Sequence, residues 1–207
     1  MDKPELCRSR LTVVLAVLVF LPASAHAHTA IKGLGEVING LIHPVLTPSH
    51  VLILLGLGLL AGQQVPRNLK TPMLVFLPLS AAALLLTMTG LVTTVYPPIL
   101  ICIALAAGAV VALEASLPRL VSMALFAAAA IAIGFDSAVE TGSAVAQLKT
   151  LLGTWISLGL LVFDIAFYVS FLTKPKWQKI GVRVVGSWLI AISLLVLAFS
   201  LRRSGGG

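Results

Sequence analysis

The sequence predicts an all-α protein, a polytopic bundle of about six transmembrane helices with a short re-entrant or interfacial helix on its N-terminal side. Three observations predict it. Only 10% of the residues are charged and 59% are hydrophobic, whereas a soluble domain carries about 25% charged residues. Apolar runs of span length recur along the whole chain, which makes lipid the expected solvent. Prolines stand at the starts of several runs, and the loops between runs are short enough to make sequential helices antiparallel neighbours.

Residues 1–27 read as a signal peptide. Arg8 and Arg10 form a basic n-region, and Leu11 to Leu21 form an apolar core too short to span comfortably. Ala23-Ser24-Ala25 and Ala25-His26-Ala27 both satisfy the small-x-small cleavage rule, and the second leaves His28 as the mature N-terminus. An uncleaved anchor is the alternative. Residues 28–203 then form a single transmembrane helical domain, and 204–207 form a flexible tail.

Thr29 to Val45 falls short of the ~20 residues of a comfortable span. Its polar residues Glu36, Asn39 and His43 recur at helical spacing, and Gly33, Gly35 and Gly40 permit close packing. It reads as the re-entrant or interfacial helix. The six spans follow at 48–64, 71–93, 97–116, 118–140, 145–173 and 182–201. Thr47-Pro48 opens the first as N-cap and N1 proline, Pro97-Pro98 opens the third and Pro118 the fourth. Small residues such as Gly56, Gly58, Gly62 and Gly108 suit close helix contact in lipid.

The net charge of +7 comes from basic residues scattered singly or in short loops, so it marks topology rather than nucleic-acid binding. Arg67, Lys70, Arg119, Lys174, Lys176, Lys179 and Arg183 fall in alternate loops, which places those loops in the cytoplasm. The mature N-terminus then lies outside a bacterial inner membrane. Cys7 and Cys102 build neither a disulfide framework nor a thiolate metal site.

The chemistry-bearing residues are few. All four histidines lie between positions 26 and 50, and the mature chain has five acids, Glu36, Glu114, Asp136, Glu140 and Asp164. His28, His43 and His50 sit on the outer side. His43 and His50 bracket Pro44 and Pro48, which should bend the chain and free backbone carbonyls. His50 sits near N3 of the first span, and a helix N-terminus suits the neutral imidazole that binds metal. Asp136 and Glu140, four apart, share one helical face at the outer end of the fourth span. Together these five residues are the candidate metal ligands, a mixed imidazole–carboxylate set suited to a divalent first-row metal. The alternatives are histidines that cap helices and acids that are solvated at a helix end. Ionisable groups within spans default to function, so Asp164, Glu114 and Glu36 are candidates for the transport pathway. The competing reading pairs Glu114 with Arg119 and leaves Asp164 as a hydrogen-bonded group.

The segment Gly40-Leu-Ile-His43-Pro44 through Ser49-His50 to Gly62-Gln63 resembles the HupE/UreJ family of nickel/cobalt permeases, whose mark is a His-Pro pair followed by an Asp-His pair at the start of a span. The Ala-His-Ala-His sequence at 25–28 and the Ala-Leu-Glu114-Ala segment agree with it. Ser49 stands where that family has an acid. Gly134 to Glu140 stands where it has a histidine-rich motif, with Asp136 and Glu140 as harder ligands in its place.

The resemblance implies a permease whose substrate is a divalent transition metal ion, nickel or cobalt, with copper or zinc as alternatives. A second class is a non-transporting accessory protein that binds metal and works with metalloenzyme maturation proteins. An intramembrane enzyme is not expected, because no nucleophile is arranged with a base, and no resident cofactor or nucleotide motif is present. The expected partners are the lipid bilayer and the metal ion, with a homo-oligomer left open.

Cleavage should follow Ala27 or Ala25, so the intact mass of the membrane-extracted protein should lack residues 1–25 or 1–27; a mass that retains Met1 overturns the signal peptide.

Overall fold

The computed structural model describes residues 34–64, 70–90, 95–139, 142–172 and 176–204. These residues form seven helices: α1 (Glu36–Leu46), α2 (Pro48–Gln63), α3 (Lys70–Thr87), α4 (Pro97–Leu113), α5 (Arg119–Asp136), α6 (Ala144–Leu172) and α7 (Lys176–Ser204). Each expected span has its helix, and the short N-terminal segment is α1. The signal peptide, most of the 64–71 loop and the last three residues of the tail lie outside the described residues.

The break between α1 and α2 follows from two prolines. Pro44, inside α1, has no N–H to give to the carbonyl of Gly40. Thr154 of α6 brings a donor within reach: its single Oγ1 proton is shared between Gly40 O at 3.2 Å and Thr150 O of its own helix at 3.1 Å. At Thr47 the backbone turns extended, with φ −95° and ψ 107°. Its N–H and its hydroxyl both donate to His43 O, at 3.2 and 3.0 Å. Pro48 then starts α2 at a position where no N–H is needed. The two helix axes differ by 76°.

α2 is apolar on every side, and 11 of its 16 residues are buried, which makes it the central element of the bundle. It packs between α6 and α4. Gly58 and Gly62 face Ile165 and Val169 of α6, and Gly56 faces Ala107 of α4 and Leu189 of α7. α3 pairs with α5, where buried Phe76 and Phe126 meet edge to face at 6.3 Å. Trp155 of α6 joins this pair by donating from Nε1 to Leu77 O at 2.9 Å, beside Pro78 within α3. α7 lies on the outside against α4 and turns a long apolar face outward, with Trp177, Ile180, Trp188, Leu195 and Phe199 exposed. An apolar circumference of this kind faces lipid, and the chain is a multi-span membrane bundle.

Among the described residues three helices are individually long and apolar enough to cross a membrane: Arg119–Asp136, Ala144–Phe171 and Trp177–Arg202. α1 and α2 meet that test together as one bent pair, and Thr71–Thr87 and Pro97–Leu113 are shorter apolar helices. Several ends differ from the expected spans. α3 stops at Thr87 rather than 93, where Gly90 turns with φ 71° and the hydroxyls of Thr87 and Thr89 bond back to Leu84 and Leu86. α4 stops at Leu113 because Glu114 adopts the left-handed conformation, with φ 51°. α7 extends beyond 182–201 at both ends, since basic residues do not interrupt a helix.

α1 lies on α6 at backbone contact. A Cβ added at Gly40 would collide with the Thr150 carbonyl oxygen, and one added at Gly153 would collide with the Val37 carbonyl oxygen. Gly40→Ala and Gly153→Ala should each therefore destabilise the protein by about 1–3 kcal/mol. Gly181→Ala, with nothing within 4 Å, should be neutral or gain up to ~1 kcal/mol of helix propensity. Thermal unfolding in detergent checks all three, and equal melting of the Gly40 and Gly181 variants would contradict the contact.

Candidate metal site

Among the described residues His50 is the one fully buried imidazole. It sits at the third position of α2, and its side chain is 0% exposed although the adjacent Val51 is exposed. A buried imidazole needs partners for its nitrogens. Its Nε2 lies 2.9 Å from Oδ2 of Asp136, which is 17% exposed. An ionised carboxylate only accepts, so Nε2–H is the donor, and in the neutral ring Nδ1 carries the lone pair. Nδ1 is buried and has no hydrogen-bond partner among the described residues.

Local sequence puts each partner in place. Asp136 is the last residue of α5, and the helix ends there as Ser137 folds back, its buried hydroxyl donating to Ile133 O at 2.8 Å. Gly134 lets α5 settle against Ala83 of α3. His43 is in the last turn of α1, half-buried, with its ring centroid 5.5 Å from that of His50 and nearly perpendicular to it. The Thr47 hydroxyl on the His43 carbonyl holds that turn against the start of α2. Two imidazoles on one ion, with metal–nitrogen bonds of ~2.1 Å at a tetrahedral angle, have centroids roughly 5 Å apart, close to the spacing of these two rings.

Three of the five expected ligands, His43, His50 and Asp136, thus come to the same end of the bundle. His28 and Glu140 lie outside the described residues. Among the described residues no group of three or more His, Cys, Asp or Glu side chains stands close enough to hold a metal ion. The bonded His50–Asp136 pair and the neighbouring His43 ring are what is assembled.

The other expected residues are elsewhere. Glu36 is exposed in the first turn of α1. Glu114 is at the opposite end of the bundle: Gln63, at the far end of α2, donates to Val111 O at 3.1 Å, one turn before Glu114. Its carboxylate faces Lys179 at 3.8 Å and Arg183 at 3.9 Å, both of α7, instead of Arg119. Arg183 also donates from Nε to Ala112 O, so a cation covers the C-terminus of α4. Asp164 is on the outward face of α6, exposed, and not among the inward-facing residues.

Thr47 was absent from the expected ligand set and is 7% exposed beside the His43 carbonyl. The Thr-Pro pair signalled a helix start, but the hydroxyl reaches back to α1 and caps nothing in α2. Pairing of His50 with Asp136, 86 residues away, had no local signal.

Residues 15–196 match the family described as HupE / UreJ protein. No curated protein and no solved structure matches the chain.

Removing Asp136 leaves the buried Nε2–H without an acceptor, which costs about 1–3 kcal/mol. Asp136→Ala should show that loss in thermal unfolding, while Asp136→Asn, which keeps an acceptor oxygen, should lose less. Equal melting of Asp136→Ala and the wild type would show that the bond does not hold His50.

Proposed function

Because the chain belongs to the HupE/UreJ family, whose members are membrane metal permeases and not enzymes, we propose that it moves a divalent first-row transition metal inward across the bacterial inner membrane. Nickel or cobalt is the first candidate substrate, with copper or zinc behind them. Capture occurs at the His50–Asp136 pair. The observation that carries this reading is the bond from His50 Nε2 to Asp136 combined with a buried Nδ1 that has no hydrogen-bond partner among the described residues. A carboxylate that fixes one ring nitrogen orients the other toward a metal and raises its basicity.

In this reading His50 binds through Nδ1, His43 adds a second imidazole, and Asp136 positions His50. His28 and Glu140 complete the set as further ligands. Orientation follows the positive-inside rule: the histidine end is outside, and the end carrying Arg119, Lys179 and Arg183 is cytoplasmic. The shorter helices α3 and α4 and the bent α1–α2 pair are then membrane segments too, giving six spans.

Between His50 and Gln63 every residue of α2 is apolar, so an ion passes only when α2 parts from a neighbour. The seams at Gly56, Gly58 and Gly62 are where it touches α4 and α6 most closely, and backbone-level contacts between small residues separate without side-chain repacking. At the far end the ion meets Glu114. Its half-exposed pairs with Lys179 and Arg183 are weak and exchange readily for a metal. Asp164 and Glu36 face away from this route.

The accessory reading, metal binding without transport, is favoured by the family's histidine-rich motif being replaced here by Gly134 to Glu140. Flux separates the two. Proteoliposomes of the wild type should accumulate nickel or cobalt, and His50→Ala should abolish both binding and uptake. Asp136→Asn should weaken metal binding about 10–100-fold. Binding without accumulation establishes the accessory role, and wild-type binding by His50→Ala removes this site from the protein's function.

A further inference from the structure

α6 carries two charged residues, Lys149 and Asp164. Lys149 is near one end of the helix. Asp164 lies eight residues before Leu172, about 12 Å from the other end at 1.5 Å per residue. Its neighbour Ile165 packs on Gly58 in the middle of α2, so Asp164 belongs to the hydrocarbon depth of the bundle. A carboxylate on so short a side chain cannot snorkel from there to water. Its side chain is nevertheless exposed, and among the described residues it makes no hydrogen bond or ion pair.

The face around it is aromatic. Phe163 stacks on Phe167 with centroids 6.2 Å apart, and Phe167 meets Tyr168 and Phe171 edge to face at 6.0 and 4.9 Å. These side chains are about half exposed, and Tyr168 is 67% exposed. Leu160, Phe163, Phe167 and Phe171 recur at spacings of three and four, close to the seam of a left-handed helix pair. The same face carries an acceptor, Asp164, and a donor, the Tyr168 hydroxyl, one turn apart. Side chains on a helix lean toward its N-terminus, so the Tyr168 ring reaches back to the level of Asp164 on a parallel helix facing it.

We propose that this face of α6 is the interface of a symmetric dimer in the membrane, in which Tyr168 of each protomer donates its hydroxyl to the partner's Asp164. A two-fold axis along the membrane normal makes both bonds at once, because one surface supplies both halves of each pair. Plain lipid offers no donor at that depth. A second copy is the occupant that this face complements by its own residues, and the interface is independent of the metal chemistry at His50.

The test is dimerisation in liposomes, read by single-molecule photobleaching across a range of protein-to-lipid ratios. The wild type should dimerise. Tyr168→Phe and Asp164→Ala should each weaken the dimer about tenfold to a hundredfold, since each removes both symmetric bonds, and the double variant should be no weaker than the weaker single variant. Because both side chains point outward, the variants should keep the wild-type thermal unfolding profile. With Cys7 and Cys102 replaced, Phe163→Cys should form an oxidised homodimer in native membranes, whereas Trp188→Cys on the outward face of α7 should not. A monomer at every ratio, an unchanged or tighter Asp164→Ala dimer, additive losses in the double variant, or equal cross-linking at Trp188 would each overturn the proposal.

Discussion

In a bilayer the backbone has no water to turn to, so each carbonyl that a helix leaves free must find a donor within the protein. This chain meets that demand at the break between α1 and α2. Pro44 strips Gly40 O of its helical donor, and the Thr154 hydroxyl of α6, shared with Thr150 O, reaches it instead. The His43 carbonyl receives both the N–H and the hydroxyl of Thr47. Two consequences follow. α1 must lie against α6 closely enough for Thr154 to reach, which is why glycine stands at both 40 and 153. The two histidines on either side of the break are also held with their rings 5.5 Å apart.

The rest of the bundle is arranged around the helix that begins at that break. α2 is covered from Leu52 to Gly62, and its glycines bring α4 and α6 to it with little side chain between. α3 and α5 are joined to the assembly through the Phe76–Phe126 contact and Trp155, and this brings the end of α5 to the start of α2. Asp136 reaches His50 only because both helix ends arrive at one level. The same alignment puts Glu114 beside the basic start of α7 at the opposite end. The bundle therefore has one end that offers imidazole and carboxylate and another that offers mainly cations, separated by the apolar length of α2.

Asp164 belongs to neither end. Placing an aspartate at the centre of a membrane helix costs on the order of 2.5–3.5 kcal/mol on insertion scales. Turning it outward avoids disturbing the close packing at Ile165 and Gly58, and leaves its polar demand to be met at the surface of the bundle. The aromatic ridge beside it is equally unused by the interior.

Much of this was legible in the sequence because local chemistry decides it. Low charge and long apolar runs establish a helical membrane protein, Pro48, Pro97 and Pro118 locate helix starts, and the confinement of histidine to one short segment marks the candidate site. Helix ends were legible less well, since the stop at Glu114 depends on a left-handed residue that is not glycine. Which face each helix turns inward was not legible. In water a polar face reveals the buried one, but a helix that is apolar all round and sits in lipid shows no such contrast. So sequence spacing could place Glu36, Asn39 and His43 at one helical register, but it could not pair His50 with Asp136, exchange Arg119 for Lys179 and Arg183 at Glu114, or turn Asp164 outward. Those outcomes depend on side chains far apart in the chain meeting across helix contacts, and only the packing of α2 against its neighbours decided them.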